Sequence, residues 1–236
     1  MLNYIKEVRV NMPSDWLKLT THRLDIYNES LAKTEFLDQF EELFETNNAN
    51  SSALSDLPTA FDYIRLGHPL SCVLEWTIAK ANELNRDSVI SFSSKTTPIL
   101  AVLRKNLIEP KNTRIVYQDK LPDCFDADVI KRVYGYQFEL KKIEHLSHID
   151  AFDGSTLLIS NQKEFGTIDF ADSMPKEVDF LLSIPGHLGS ILLVNGQENE
   201  SYISEIQHVR RRETIAMTPS NCSLLLEKMT GTSVDE

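Results

Sequence analysis

Short apolar segments alternate with amphipathic segments along this chain from residue 57 onward. The apolar segments predict strands at 87–92, 114–117, 137–140, 156–160, 180–183 and 191–194. The segments with helical periodicity predict helices at 73–84, 97–107, 126–134 and 200–212. Strands that alternate with helices favour a parallel sheet, because each crossover helix returns the chain to the same edge. The sequence therefore predicts an α/β fold, with a mostly parallel sheet and helices on both faces.

Residues 1–56 lack this alternation and are predicted to form an N-terminal arm, followed by a main domain at 57–230 and a tail at 231–236. Segment 46–56, rich in Asn and Ser, is interpreted as a flexible connector. An amphipathic helix at 35–45 has an apolar face that either packs on its own domain or docks on a partner protein. The aromatic anchors in the second case are Phe36, Phe40 and Phe44.

The balance of charges limits the classes of partner. The 236 residues carry a formal net charge of −11, which repels phosphate backbones, so we expect no direct contact with nucleic acid. The run Arg210-Arg211-Arg212 is interpreted as the solvated end of a helix, where the helix dipole favours cations. Three cysteines without a Cys-x-x-Cys pair, and the lack of a long apolar run, favour an intracellular protein, cytoplasmic or nuclear, without membrane contact.

One histidine pair has a spacing that suits a metal ion. His145 and His148 would share the face of a helix. A structural zinc site normally takes four ligands, and no third ligand lies nearby in the sequence. The pair is therefore interpreted as two surface histidines, and we predict no metal site.

A series of short blocks along the chain has the order found in a known enzyme family. The blocks lie at 63–70 (Tyr-Ile-Arg-Leu-Gly-His-Pro-Leu), 91–97 (Ser-Phe-Ser-Ser-Lys-Thr-Thr), 115–119 (Ile-Val-Tyr-Gln-Asp), 178–189 and 218–226. Together they resemble the cystathionine gamma-synthase and lyase family, which are pyridoxal-phosphate enzymes of fold type I. The resemblance covers residues 57–230 and implies the fold of the large domain of that family, without its C-terminal domain.

The resemblance also indicates which reactive groups of the family have no counterpart here. Gly186 stands where the family has the lysine that forms a Schiff base with the cofactor, and Pro185 and His187 replace its two neighbours. Ser160 stands where a carboxylate pairs with the pyridine nitrogen, and Lys95 replaces a glycine of the phosphate turn. A glycine has no amine and a serine carries no charge, so neither can perform the role of the family's residue.

Alternative functional hypotheses follow from these departures. In the first, the chain is not an enzyme, binds no covalent pyridoxal phosphate and serves as an interaction or regulatory subunit, or as a structural component of a larger assembly. Tyr63 and Arg65 match family residues at a dimer interface, so a homodimer is expected first and a heteromer second. In the second, the old cleft holds a phosphorylated small molecule without a covalent bond, or supports a different enzyme activity. The candidate ligand contacts are Ser93, Ser94, Lys95, Ser183 and His187.

Overall fold

The computed structural model describes residues 1–18, 29–58, 64–162 and 175–231. The helices are α1 (Leu2–Asn11), α2 (Glu29–Glu45), α3 (Ser51–Ser55), α4 (Pro69–Ala81), α5 (Thr97–Ile108), α6 (Ala127–Tyr134), α7 (Ser201–Glu213) and α8 (Pro219–Met229). The strands are β1 (Val89–Phe92), β2 (Thr113–Tyr117), β3 (Glu139–Lys142), β4 (Ser155–Gln162), β5 (Phe180–Pro185) and β6 (Ser190–Val194). Within the described ranges, no helix combines the length and the apolar character that crossing a membrane requires.

The six strands form one sheet in the order β1-β6-β5-β4-β2-β3. β2 is parallel to β3 and β4, and β4 is parallel to β5, so the predicted mostly parallel sheet is confirmed. β6 is antiparallel to both of its neighbours, β1 and β5. The connection from β5 to β6 is the short turn 186–189, which suffices for a hairpin but is too short for a parallel crossover.

Helices cover both faces of this sheet, as the sequence predicts. Side chains of α5, α6 and α7 pack with Phe92, Ile115 and Leu157 on one face. Side chains of α1, α2, α4 and α8 pack with Ile191 and Leu193 on the other face. Successive residues of a strand point to opposite faces, so the continuous apolar runs of β5 and β6 supply both cores at once.

The N-terminal arm packs on its own domain. Phe36 and Phe40 are almost completely buried, and the rings of Phe40 and Phe44 each meet Trp76 of α4 edge-on, with ring centroids 5.2 Å apart. Such edge-to-face contacts add to the energy of burial. Because Phe36 and Phe40 are buried within the chain itself, they are not on the surface, which corrects their assignment as anchors for a partner protein.

Two helices of the arm, α1 and α3, were not predicted from the sequence. Segment 46–56, interpreted as a flexible connector, contains α3, whose Leu54 is buried. α1 buries Ile5 and Val8 against the same core. The spacing of three residues between Ile5 and Val8 is the helical signal that could have identified α1.

The arginine run at the end of α7 is not uniformly solvated. Arg210 is only 4% exposed, and its Nη1 donates a hydrogen bond to Oε1 of the buried Glu75 at 2.9 Å. The Glu75 carboxylate also accepts from the backbone and hydroxyl of Ser91 and from Lys33. This ionic network joins α2, α4, β1 and α7 in the interior, so the interpretation of Arg210 as a solvated cation is wrong.

Candidate ligand site at the C-terminal edge of the sheet

The C-terminal ends of β2, β4 and β5 lie at one edge of the sheet. β1 is antiparallel to β6, as β5 is, so β1 ends at this edge too. Ligands of open α/β sheets bind in the crevice outside these strand ends. The loop 93–96, the loop 118–126 and the turn 186–189 all start here and contain most of the residues proposed from the sequence.

The loop between β1 and α5 is fixed by its own serines. The Ser94 hydroxyl accepts hydrogen bonds from the backbone N–H groups of Thr96 at 3.3 Å and Thr97 at 3.1 Å, at the start of α5. The Ser93 hydroxyl donates to the carbonyl of Ala216 at 2.7 Å. Both serines were proposed as ligand contacts, and the structure shows that each is already engaged within the chain.

The turn between β5 and β6 requires glycine at two positions. Gly186 has φ 57°, in the left-handed region that favours glycine. Gly189 has φ 123°, and a β-carbon there would lie 2.2 Å from the carbonyl oxygen of Phe92. The backbone of this turn therefore lies directly against the end of β1, a close approach that only glycine permits.

Ser190 ties this turn to the β1–α5 loop. Its hydroxyl donates to the backbone carbonyl of Ser94 at 2.6 Å. On the other side, the side-chain amide of Asn221 donates to the carbonyl of Leu188 at 2.9 Å. These contacts hold two loops of the edge in one arrangement. His187, between Gly186 and Leu188, is exposed at the tip of the turn.

Two serines of neighbouring strands meet at the same edge. Ser160 of β4 and Ser183 of β5 are direct partners in the parallel ladder. The Ser183 hydroxyl is buried and makes no hydrogen bond with the described part of the chain. An unpaired buried hydroxyl costs free energy, so such a group calls for a specific explanation. The sequence predicted that the two strands end at Ser160 and Ser183, but β4 continues to Gln162 and β5 to Pro185, and the sequence gave no sign that the two serines pair.

The edge carries a small group of charged side chains. The Lys120 ammonium donates to Asp123 at 2.8 Å, and the Asn161 side chain, at the end of β4, donates to the Lys120 carbonyl at 2.6 Å. The pKa of the Asp123 carboxyl is lowered, chiefly by the hydrogen bond from Lys120 and to a smaller extent by the charge of Lys95. Lys95 therefore lies within electrostatic reach of this pair. The sequence gave no sign of Asn161 or Lys120, because a single polar residue near a strand end or in a loop has no distinctive pattern.

The structure describes Arg65 but not Tyr63, the two residues that the resemblance proposes for a dimer interface. Tyr63 lies outside the described residues. Arg65 donates to the carbonyls of Arg211 at 3.3 Å and Arg212 at 3.1 Å, and so caps the C-terminal end of α7. A cation at this position also complements the helix dipole. The described contacts of Arg65 are therefore internal to the chain.

The two clustered histidines form a ring contact. His145 and His148 have centroids 5.5 Å apart in an edge-on arrangement next to the short turn after β3. Among the described residues, no group of three metal-ligating side chains is close enough to hold an ion.

Comparisons with known proteins identify the fold. No protein-family model matches the chain, and no curated protein matches it. It is similar in structure to the metB protein of Corynebacterium glutamicum, with 11% identity and a TM-score of 0.50 over 98% of this chain and 65% of that chain. It is also similar to cystathionine gamma synthase of Xanthomonas oryzae pv. oryzae in complex with cystathionine, with 10% identity and a TM-score of 0.51 over 97% of this chain and 62% of that chain.

These likenesses show the fold of the large domain of fold-type-I pyridoxal-phosphate enzymes, as the sequence resemblance implied. The chain spans less than two thirds of the length of either solved structure. The predictions that the chain is not an enzyme and has no cofactor are contradicted, because its structural neighbours are pyridoxal-phosphate enzymes. The predicted lack of enzyme activity and the predicted lack of a cofactor are both withdrawn.

The described residues do not fit a cofactor anchored at position 186. Gly186 supplies no amine, and Pro185 before it supplies neither a hydroxyl nor an N–H group. At the start of α5, the N–H groups of Thr96 and Thr97 already bond to Ser94, and Pro98 has no N–H group. A ligand phosphate at this helix end would have to displace the Ser94 hydroxyl or bind to a side chain instead.

Proposed function

We propose that this chain is an enzyme subunit that binds a phosphate-bearing small molecule at the C-terminal edge of its sheet. The contact that carries the proposal is the hydrogen bond from Ser190 to the Ser94 carbonyl, at 2.6 Å. It fixes the loop that contains Lys95 against the turn that contains His187. The Lys95 ammonium and the His187 imidazole are thus carried by two loops that are connected to each other. Both loops lie where this fold class binds ligands.

Each side chain has a defined role in this proposal. The Lys95 ammonium binds the phosphate as a compact cation, since the first amides of α5 are already satisfied by Ser94. The His187 imidazole has both a donor and an acceptor nitrogen, so it can orient a polar group of the ligand. Ser183 offers a buried hydroxyl without a partner among the described residues, and a polar group of the ligand would supply that partner.

The likeness to pyridoxal-phosphate enzymes makes pyridoxal 5′-phosphate the first probe. We expect binding to the wild-type protein by calorimetry and by a change in the absorbance of the probe. Lys95→Ala removes a charge-assisted contact worth about 1.5–3 kcal/mol, so we expect affinity to fall by about tenfold or more. Inorganic phosphate should compete with the probe, because both use the same contact.

The control replaces an exposed lysine on α1, Lys6→Ala, which changes the net charge equally but lies outside the proposed site. Its affinity should equal that of the wild type. Equal losses in both variants would show a general charge effect and refute the assignment of Lys95. Lack of binding by the folded wild-type protein, for both the cofactor and phosphate, would refute the proposed function.

A further inference from the structure

β3 is the last strand of the sheet, and in the described part of the chain it pairs only with β2. The N–H group of Ile143 points towards β2, because it donates to the carbonyl of Tyr117 at 3.0 Å. Backbone groups alternate along a strand, so those of Glu139 and Lys141 also face β2, and those of Leu140 and Lys142 face outward. As far as the described residues extend, β3 therefore presents an unpaired edge that can accept another strand.

Exposed apolar side chains occur on α6, which precedes β3 in the chain, and on β3 itself. α6 buries only Ile130 in the core and exposes Val133 and Tyr134, at 63% and 52%. Leu140 of β3 is also exposed. Leu140 is the ladder partner of Ile115, and Ile115 packs in the same cluster as Ile130. Leu140 thus lies on the face of the sheet that α6 covers.

The opposite face of β3 carries charges of both signs. Glu139 and Lys141 alternate with Leu140 and so point to the other side of the sheet. Lys141 is the ladder partner of Val116, which belongs to the core on that side. Lys141 forms an ion pair with Asp150, and Asp150 also accepts from Arg114. Glu139 is exposed.

We propose that a second copy of this chain adds its β3 to this edge, antiparallel, about a two-fold axis at Leu140. In this register Leu140 lies opposite the partner's Leu140, and their outward backbone groups exchange two hydrogen bonds. Glu139 lies opposite the partner's Lys141, and the symmetry makes this ion pair twice. The apolar contact forms on the α6 side and the ionic contacts form on the other side.

The charges on β3 select this register over the neighbouring one. Two residues that face each other in an antiparallel pair must both direct their backbone N–H and C=O groups towards the partner strand, or both away from it. The next register with two-fold symmetry therefore has its axis at Lys141. That register would place two lysines directly opposite each other, and like charges in such pairs are destabilising. An interface made by one patch with its own copy must be self-complementary, and the segment Glu139-Leu140-Lys141 is self-complementary about Leu140.

Two charge reversals test the pairing when they are used separately and then together. In Glu139→Lys, both copies present lysine at 139 and 141; in Lys141→Glu, both present glutamate. Each variant should therefore have a dimer dissociation constant at least about tenfold higher than that of the wild type. The reason is that each variant replaces two attractive pairs with two repulsive ones. An equimolar mixture should form mixed dimers, because lysines then face glutamates at both positions.

Light scattering and sedimentation measure the oligomeric state at protein concentrations from micromolar to about millimolar. Far-ultraviolet circular dichroism confirms that each variant is folded. Leu140→Lys is a further variant that keeps the Lys141–Asp150 pair and places like charges on the axis. The control is Glu42→Lys, an exposed reversal on α2 that should leave the dimer unchanged.

Recovery of the dimer in the mixture, with both single variants monomeric, is the expected result. A wild-type protein that stays monomeric at every concentration up to about millimolar would overturn the proposal, since even weak specific association is detectable there. A dimer that all three β3 variants leave intact would also overturn it, because a different face would then form the interface. Neither result bears on ligand binding at the other site.

Discussion

Arg210 and Glu75 form an ion pair in the interior, with Nη1 and Oε1 2.9 Å apart and both side chains almost fully buried. Arg210 also donates to the carbonyls of Ser91 and Leu66. Burial by itself raises the pKa of the Glu75 carboxyl, but the charges of Lys33 and Arg210 and the hydrogen bonds from Ser91 lower it below its ordinary value. The carboxylate is thus ionised and joins four elements of the fold.

Removing the Glu75 charge should destabilise the protein strongly. In Glu75→Gln, Arg210 and Lys33 stay buried without their counter-ion, and breaking a buried pair in this way costs about 3–5 kcal/mol. Denaturant unfolding measures the loss. The matched control is Asp38→Asn, which breaks the more exposed pair with Arg86 and should change the midpoint little. Similar midpoints for the two variants would contradict a structural role for the buried network.

His68 should make stability depend on pH. Burial lowers its pKa to about 4, despite the hydrogen bond to the Met217 carbonyl. In the unfolded chain the pKa is about 6.5, so the unfolded state binds the proton more readily. Its contribution to stability is therefore complete above pH 6.5 and decreases as the pH falls towards 4, by about 3 kcal/mol in total.

The test compares unfolding free energies at pH 7 and pH 4.5. His68→Asn retains an acceptor for the Ser71 N–H group, which starts α4, but it has no proton to gain. Its stability should fall less over this interval than that of the wild type. His148→Asn, an exposed histidine, should behave as the wild type does. The same pH dependence in all three proteins would show that other groups cause it.

Gly189→Ala should damage both the fold and the proposed ligand site. The new β-carbon would lie 2.2 Å from the Phe92 carbonyl at a φ of 123°, and the combined clash and strain should cost about 3 kcal/mol or more. Gly135→Ala is the matched control, since φ is 71° there but no atom lies within 4 Å. It should cost about 1–2 kcal/mol, from backbone strain alone. Thermal unfolding and pyridoxal-phosphate binding are measured on both; equal losses would refute the close packing of the turn.

Ser183→Ala should stabilise the ligand-free protein. Its hydroxyl is buried without a hydrogen-bond partner among the described residues, and such a group costs about 1–3 kcal/mol. Ser91→Ala is the control, because the Ser91 hydroxyl donates to Glu75 at 2.7 Å and its removal should destabilise. A lower unfolding free energy for Ser183→Ala would mean that the hydroxyl has a partner in solution. Weaker ligand binding in this variant, together with higher stability, would support a role for Ser183 in the site.

The local elements were predictable because their signals are local. The sequence predicted a helix over 97–107 and the structure has α5 at Thr97–Ile108; it predicted a strand over 114–117 and the structure has β2 at Thr113–Tyr117. Each follows from the periodicity of side chains within one segment. α4 begins at Pro69, four residues before the predicted start at 73, because His68 caps it with its imidazole, a role not apparent from the residue type.

The sequence alone determined the class of fold, since the alternation of apolar strands with amphipathic helices permits few other arrangements. It also determined that positions 186 and 189 are glycines in a turn after a buried strand. Only the tertiary structure decided which groups meet across long separations of the chain. Glu75 and Arg210 are 135 residues apart, and Ser94 and Ser190 are 96 apart. Such pairs have no periodicity, because their energy comes from burial and partners that exist only after the layers have packed.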